Sequence, residues 1–189
     1  MKPTGLNIPW HRYALITELA DRLQKTSPQF GKTVLQKMVY LLQEAFGVDC
    51  GYDFTLYTYG PFASQLLQDL ALAESLGGVD VEASASAVGG YRITPGKEAP
   101  SVVHKGEAFL RETDVQQALT RLVDEFGNLN ARELELRSTL VYVNRDLRRG
   151  GKTAQWDETL RLVQEIKPKF PPAEIEKAAQ ELHARGYLL

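Results

Sequence analysis

GKTVLQKMVYLLQEAF, residues 31–46, carries apolar residues on two adjacent stripes at helical spacing. A helix that is apolar over so wide an arc packs against several neighbours, so we expect this helix at the centre of the core. The side chains expected to be almost fully buried are Met38, Leu42 and Phe46. The residues expected on its solvent-facing side are Lys32, Gln36, Lys37 and Gln43.

The segments next to this helix predict two more helices and a short strand. Leucine and alanine spacing predicts a helix over residues 10–25. Alternation and β-favouring residues predict a strand over residues 53–59, which Gly60 then ends. Pro61 suits the first turn of a helix, so the third helix is predicted over residues 62–76.

The rest of the chain predicts a β-hairpin followed by helices. The hairpin strands are residues 79–83 and 91–94, and residues 95–100 are predicted to form a linker. Helix-start signals then occur near Gly106, Thr113, Asn130, Thr153 and Pro172.

We therefore predict an α+β fold that is mostly helical. Residues 1–95 form a winged-helix-like unit with three helices, a short strand and a β-hairpin. Residues 96–189 form a C-terminal helical unit packed on it, and the two units could equally be one domain.

Composition indicates a globular protein and excludes several classes. Of 189 residues, 43% are hydrophobic and 24% are charged. The net charge of −2 excludes a protein that is basic throughout, although a local basic patch remains open. The first residues lack an apolar signal core and no stretch is apolar enough to span a bilayer, so we expect a cytoplasmic protein without membrane contact.

Residues that could carry catalysis are scattered. His11, His104 and His183 lie far apart in the sequence, and Cys50, the only cysteine, has no flanking signature of a nucleophile. We expect no catalytic residue, no metal and no cofactor. An enzyme is retained only as a third class of function.

A basic turn follows the helix predicted to begin near Asn130. Its cations are Arg145, Arg148, Arg149 and Lys152. Such charges complement the dipole at the C-terminal end of a helix, and they could equally bind an anion or nucleic acid. Both interpretations stay open at this point.

The charge distribution bears on DNA binding. Residues 1–43 contain six Lys or Arg and two acids, a net charge of +4. The third predicted helix, which in a winged helix enters the DNA groove, contains no Lys or Arg. The polar residues that this helix is predicted to display are Ser64, Gln65, Gln68, Asp69, Glu74 and Ser75. This composition counts against ordinary helix-in-groove binding, because contacts with phosphates dominate affinity for DNA.

Aromatic residues are densest around the predicted strand. They are Tyr52, Phe54, Tyr57, Tyr59 and Phe62. The cluster could belong to the core, or it could form an exposed recognition surface. On the second interpretation, the predicted partner-binding residues are Tyr57, Tyr59, Ser64, Gln65 and Gln68.

Three motifs fall in the first half of the chain: KMVYLLQ at 37–43, YTYGPFAS at 57–64 and LLQDL at 66–70. Together they resemble the YwgA-type family of uncharacterised bacterial proteins, and ELEL at 133–136 with TLVY at 139–142 resembles its second half. More distantly, residues 30–75 resemble the SocA/Panacea-type antitoxin domain. The resemblance implies a prokaryotic, cytoplasmic, non-catalytic protein.

We therefore expect a regulatory or adaptor protein, antitoxin-like in the more distant resemblance, that acts through contacts with another protein. The alternative is a winged-helix transcriptional regulator that binds DNA through residues 1–43 and the basic turn. Homo-oligomerisation stays open.

Overall fold

The computed structural model describes residues 8–85, 89–150 and 156–188. The helices are α1 (Trp10–Leu23), α2 (Lys32–Glu44), α3 (Ser64–Ser75), α4 (Ala99–Lys105), α5 (Glu107–Leu110), α6 (Thr113–Phe126), α7 (Ala131–Arg149), α8 (Trp156–Ile166) and α9 (Pro172–Ala184). The strands are β1 (Thr55–Tyr57), β2 (Gly60–Phe62), β3 (Val79–Ala83) and β4 (Tyr91–Pro95). The fold is α+β and mostly helical, which confirms the predicted class.

Helix α2 lies in the core, where it packs against α6, α7, β2 and β4. Met38 and Leu42 are fully buried, as predicted. Phe46 is only partly buried, so the prediction of near-complete burial is wrong there. The reason is that the helix ends at Glu44, and Phe46 packs from the following turn against Phe126 and Tyr187.

The predicted solvent-facing side of α2 is wrong at two of its four positions. Gln36 and Lys37 are each only 2% exposed, whereas Lys32 and Gln43 are half-buried. The β1–β2 hairpin covers the first pair and supplies backbone partners for their polar ends, which makes burial of those ends tolerable.

The strand predicted over residues 53–59 is present as β1, but it is shorter than predicted and pairs with a second strand that was not predicted, so this part of the chain forms a hairpin. Strand β1 pairs antiparallel with β2, and Tyr57 lies opposite Gly60. Gly60 has φ of +91°, a backbone conformation that side chains with a Cβ disfavour. Pro61 therefore lies in β2 rather than in a first helical turn, and α3 begins at Ser64 rather than at Phe62.

The second hairpin, β3–β4, has the predicted position. Its register places Val79 opposite Pro95, and it forms a two-stranded sheet separate from β1–β2. The linker predicted over residues 95–100 is shorter than expected, because α4 already begins at Ala99 and packs against α1.

Helix α7 joins the C-terminal helices to the first half of the chain. It begins at the predicted capping box, in which the Asn130 side chain accepts a hydrogen bond from the Glu133 backbone N–H and the Glu133 side chain accepts one from the Asn130 backbone N–H. It packs against α2, α8, α9 and β2, and buried residues from both halves of the chain form one hydrophobic cluster. The predicted cap at Thr153 lies outside the described residues.

Candidate functional site

A cavity of about 360 Å³ lies between the β1–β2 hairpin and the first turns of α2 and α3. We call it the hairpin cavity. Its apolar walls include Tyr57, Tyr59, Phe62 and Leu67, and Lys32 and Lys37 contribute to its lining from α2. A mostly apolar concavity of this size with a few polar groups is the usual form of a binding site.

Tyr57 and Tyr59 are the most exposed large hydrophobic side chains among the described residues, at 67% and 63%. The Tyr57 ring packs against the Phe62 ring, with centroids 5.6 Å apart. Lys169 Nζ lies 5.4 Å from the centre of the Tyr59 ring. The hairpin thus presents two tyrosine rings to solvent at the edge of an apolar cavity.

The other predicted partner-binding residues lie next to the cavity rather than in it. Ser64, Gln65 and Gln68 are exposed on the first two turns of α3. Gln65 Nε2 donates a hydrogen bond to Asp69 Oδ1 over 3.0 Å. The predicted set therefore falls into two neighbouring groups, the tyrosines on the hairpin and the polar residues on α3.

Asp69 is buried, which corrects its assignment to the displayed face of the third helix. The Tyr52 hydroxyl donates to Asp69 Oδ2 over 2.9 Å, and Arg12 Nη1 lies 3.6 Å from the same oxygen. Burial and the neighbouring Asp69 carboxylate raise the pKa of Tyr52 far above its usual range. Tyr52 therefore remains a proton donor to this carboxylate, and the pair anchors α3 from within.

Three polar side chains hold the hairpin from below. Gln36 Nε2 donates to the Ala63 carbonyl over 2.9 Å, and Gln36 Oε1 accepts from the Ala63 N–H over 2.9 Å. Lys37 Nζ donates to the Pro61 carbonyl over 2.7 Å. Lys167, which follows α8, donates to the Thr58 carbonyl. The conformation that carries the tyrosines is thus bonded to two distant parts of the chain.

A buried carboxylate on α7 completes this arrangement. Glu135 is 3% exposed and Lys167 is 4% exposed. Lys167 Nζ donates to Glu135 Oε1 over 2.8 Å, and Lys169 Nζ donates to Glu135 Oε2 over 2.7 Å. We call Lys37, Glu135, Lys167 and Lys169 the lysine cluster.

Sequence reasoning missed the lysine cluster. The sequence contained one signal of this burial. A helix that is apolar over as wide an arc as α2 has only a narrow solvent-facing side, so another segment had to cover Gln36 and Lys37. No local pattern pairs Glu135 with Lys167, since 32 residues separate them.

Burial lowers the pKa of Lys37 to about 8, with Glu135 acting to raise it and Lys167 acting to lower it. In the unfolded chain the amine has its usual pKa of about 10.5. Between these two values the unfolded state binds more protons than the folded state, so stability rises with pH. Below pH 8 both states are protonated, and the contribution of Lys37 no longer changes.

We expect the free energy of unfolding of the wild type to rise, relative to that of Lys37→Met, by about 1 kcal/mol between pH 8 and pH 9. The measurement is urea denaturation at a series of pH values. Subtracting the variant removes the contribution of Cys50, which titrates in the unfolded state near pH 9. Lys97→Met, at an exposed lysine, serves as the control and should keep the pH slope of the wild type. A difference between wild type and Lys37→Met that does not change with pH would contradict the prediction.

The structure describes three of the four cations of the basic turn. Arg145 is half-buried and Arg148 is exposed, while Lys152 lies outside the described residues. Arg149 is exposed, and its Nη2 lies 2.7 Å from Glu44 Oε2, a pairing across 105 residues of sequence. At least one of the four cations therefore already has a carboxylate partner in the chain.

The residues considered for catalysis lie on α1, α4, α9 and the loop after α2. Cys50 is fully buried, and burial raises the pKa of its thiol to about 12, which disfavours the reactive thiolate. His104 Nδ1 lies 3.2 Å from Glu107 on the surface, far along the chain from His11 and His183. Within residues 8–85, 89–150 and 156–188, no three His, Cys, Asp or Glu side chains are grouped as metal ligands.

Comparison of the chain with models of protein families, with curated proteins and with solved structures finds no match. The resemblance to the YwgA-type family and to the SocA/Panacea-type domain therefore stays a prediction. Among the described residues, no helix has both the length and the apolar character needed to cross a membrane.

Proposed function

We propose that this chain is a non-enzymatic regulatory or adaptor protein of a prokaryotic cytoplasm, which binds another protein through the hairpin cavity. The observation that supports this function best is the pair of exposed tyrosines, Tyr57 and Tyr59, at the edge of an apolar cavity. Tyrosine is enriched at protein interfaces because it buries a large ring and keeps a hydroxyl for hydrogen bonding. An antitoxin that binds a toxin would be one instance of such a protein.

The way the hairpin is held also favours binding. Its carbonyl groups at Thr58 and Pro61 accept hydrogen bonds from Lys167 and Lys37, two largely buried lysines. A surface that is already ordered loses little conformational entropy when a partner binds. Two rings on such a support are typical of the few residues that supply most of the affinity of an interface.

The alternative, a DNA-binding regulator, receives less support from the described residues. The exposed polar residues of α3 are uncharged over its first two turns, and Arg149 is paired with Glu44. Lys37, one of the six cations of residues 1–43, is buried under the hairpin. A DNA mobility shift that weakens steeply as salt rises would favour the alternative, because phosphate contacts release counterions.

We expect Tyr57→Ala combined with Tyr59→Ala to weaken binding of the partner by at least about tenfold, because each truncation removes an interface ring. Partners are first isolated from native prokaryotic lysate with the tagged wild-type chain and identified by mass spectrometry. The purified partner is then titrated against wild type and variant by calorimetry. The melting temperature should change little, since both rings are exposed in the free protein.

The matched control is Leu72→Ala combined with Leu76→Ala, which removes two other exposed hydrophobic side chains, one from the last turn of α3 and one directly after it. This variant should bind the partner like the wild type. Equal binding by the tyrosine variant and the wild type would contradict the proposed function, as would loss of binding in the leucine control alone.

A further inference from the structure

The hairpin cavity has the shape of a receptor for a single large side chain. Its volume of about 360 Å³ is at the small end of the range for ligand sites. Tyr57, Tyr59, Phe62 and Leu67 wall it with apolar surface. An aromatic or long aliphatic side chain of the partner would fill it and exclude water from both tyrosine rings.

The charge around the cavity has one sign. Among the described residues that line it, Lys32 and Lys37 are basic and none is acidic. Lys167 donates to the Thr58 carbonyl of the hairpin, and Lys169 lies over the Tyr59 ring. Both lysines also contact the Glu135 carboxylate. Two lysines therefore line the cavity and two more contact the hairpin with one carboxylate between them, although the whole chain has a net charge of −2.

Two of these lysines are accessible to a partner. Lys32 Nζ lies 3.6 Å from the centre of the Tyr91 ring and is paired with no carboxylate in the described part of the chain. The Lys169 side chain is 47% exposed and lies over the Tyr59 ring. The Tyr91 ring holds the Lys32 ammonium in place without neutralising it. Lys169 shares the single negative charge of Glu135 with Lys167, so this group of three keeps a net positive charge. A partner whose carboxylates contact Lys32 and Lys169 at the edge of the cavity gains charge complementarity.

The cavity is apolar, and basic residues lie at its edge. From these two features we infer the chemistry of the partner, an inference that rests on the proposed function. We propose that the hairpin cavity binds an acidic segment of another protein, in which one large apolar side chain enters the cavity and neighbouring carboxylates contact Lys32 and Lys169. Glu135 is buried between two lysines and so repels such a segment little.

The test begins with a random twelve-residue peptide library displayed on phage and selected on the full chain. We expect the selected sequences to combine one Phe, Trp, Leu or Met with two or more Asp or Glu. The strongest peptide is then synthesised with a fluorescent label, together with a twin in which every Asp and Glu is replaced by Asn or Gln. Affinities are measured by fluorescence anisotropy at low and high salt.

We expect Lys32→Gln and Lys169→Gln each to weaken the acidic peptide by about threefold or more and to leave the neutral twin unchanged. High salt should weaken the acidic peptide alone, because exposed charges are screened. Lys97→Gln, at an exposed lysine after β4, is the control and should bind both peptides like the wild type.

The outcomes separate this inference from the proposed function. Selected peptides that are neutral or basic, but lose affinity in the Tyr57→Ala and Tyr59→Ala variant, overturn the acidic partner and keep the protein-binding function. Peptides that bind this variant as well as the wild type contradict both. A library that yields no binder overturns the inference. A dimer in light scattering that the tyrosine variant dissociates also overturns it, because the occupant is then a second copy of the chain.

Discussion

Glu135→Gln is expected to lower the free energy of unfolding by about 3–5 kcal/mol, the usual cost of breaking a buried ion pair from one side. The substitution preserves size but removes the charge that faces Lys167 and Lys169. Lys167 is then a buried cation whose remaining partners are backbone carbonyls of the hairpin. For a chain of this length the melting temperature should fall by about 6–20 °C.

The control for this prediction is Glu165→Gln on α8. Glu165 Oε1 lies 2.6 Å from Arg161, but both side chains are 59% exposed. Surface pairs of this kind contribute about 0–1 kcal/mol, so this variant should melt close to the wild type. Equal effects of the two substitutions would show that burial does not distinguish the pairs, and the account of the lysine cluster would be wrong.

A double variant locates the origin of the loss. Glu135→Gln combined with Lys167→Met removes both charges and replaces the lysine with an apolar side chain of similar length. It should recover part of the stability lost in Glu135→Gln, because no uncompensated charge then remains at position 167. A double variant less stable than the single one would indicate instead that the hydrogen bonds from Lys167 to the hairpin dominate.

Much of the fold follows from local patterns in the sequence. The two strands of the β3–β4 hairpin are short alternating segments separated by small residues, and α7 begins at a capping box whose two halves are three residues apart. Each of these signals lies within a few residues of the element that it predicts. The central position of α2 follows from its wide apolar arc for the same reason.

The errors arise where a distant segment decides the outcome. The sequence pattern divides residues 53–62 between a strand and a helix, because proline is tolerated both in the first turn of a helix and in an edge strand. The structure adopts the strand: Gln36 on α2 bonds both backbone groups of Ala63 and keeps the chain extended there. Hydropathy periodicity contains no information on which segment will cover a polar residue such as Gln36.

In the candidate site, too, the features set by local sequence could be predicted and those set by distant residues could not. Alternation along residues 53–59 was enough to select Tyr57 and Tyr59 as candidates, and both prove to be exposed. The sequence could not predict the contacts that support the hairpin, because Lys167 lies 109 residues from Thr58. Likewise, Arg149 carried no sign of its pairing with Glu44.

Gly60→Val is expected to destabilise the fold by about 2–5 kcal/mol, which combines backbone strain with overpacking. Gly60 has φ of +91°, a region that β-branched residues rarely adopt. A Cβ at this position would lie 3.2 Å from Thr139 Oγ1 and 3.3 Å from Lys37 Cε. The new side chain would therefore press on α7 and on the lysine that holds the hairpin.

Gly47→Val separates the two causes, because Gly47 has φ of +74° and a Cβ there would meet no atom within 4 Å. We expect this control to carry the backbone strain alone, and so to lose less stability than Gly60→Val in urea denaturation. Gly60→Val should also weaken partner binding under conditions in which it is folded, because a displaced hairpin moves Tyr57 and Tyr59 together. Equal losses of stability from the substitutions at positions 47 and 60 would mean that the hairpin can shift to accommodate the valine without disturbing α7. The close approach of Gly60 to Thr139 and Lys37 would then not be what fixes the tyrosines over the cavity.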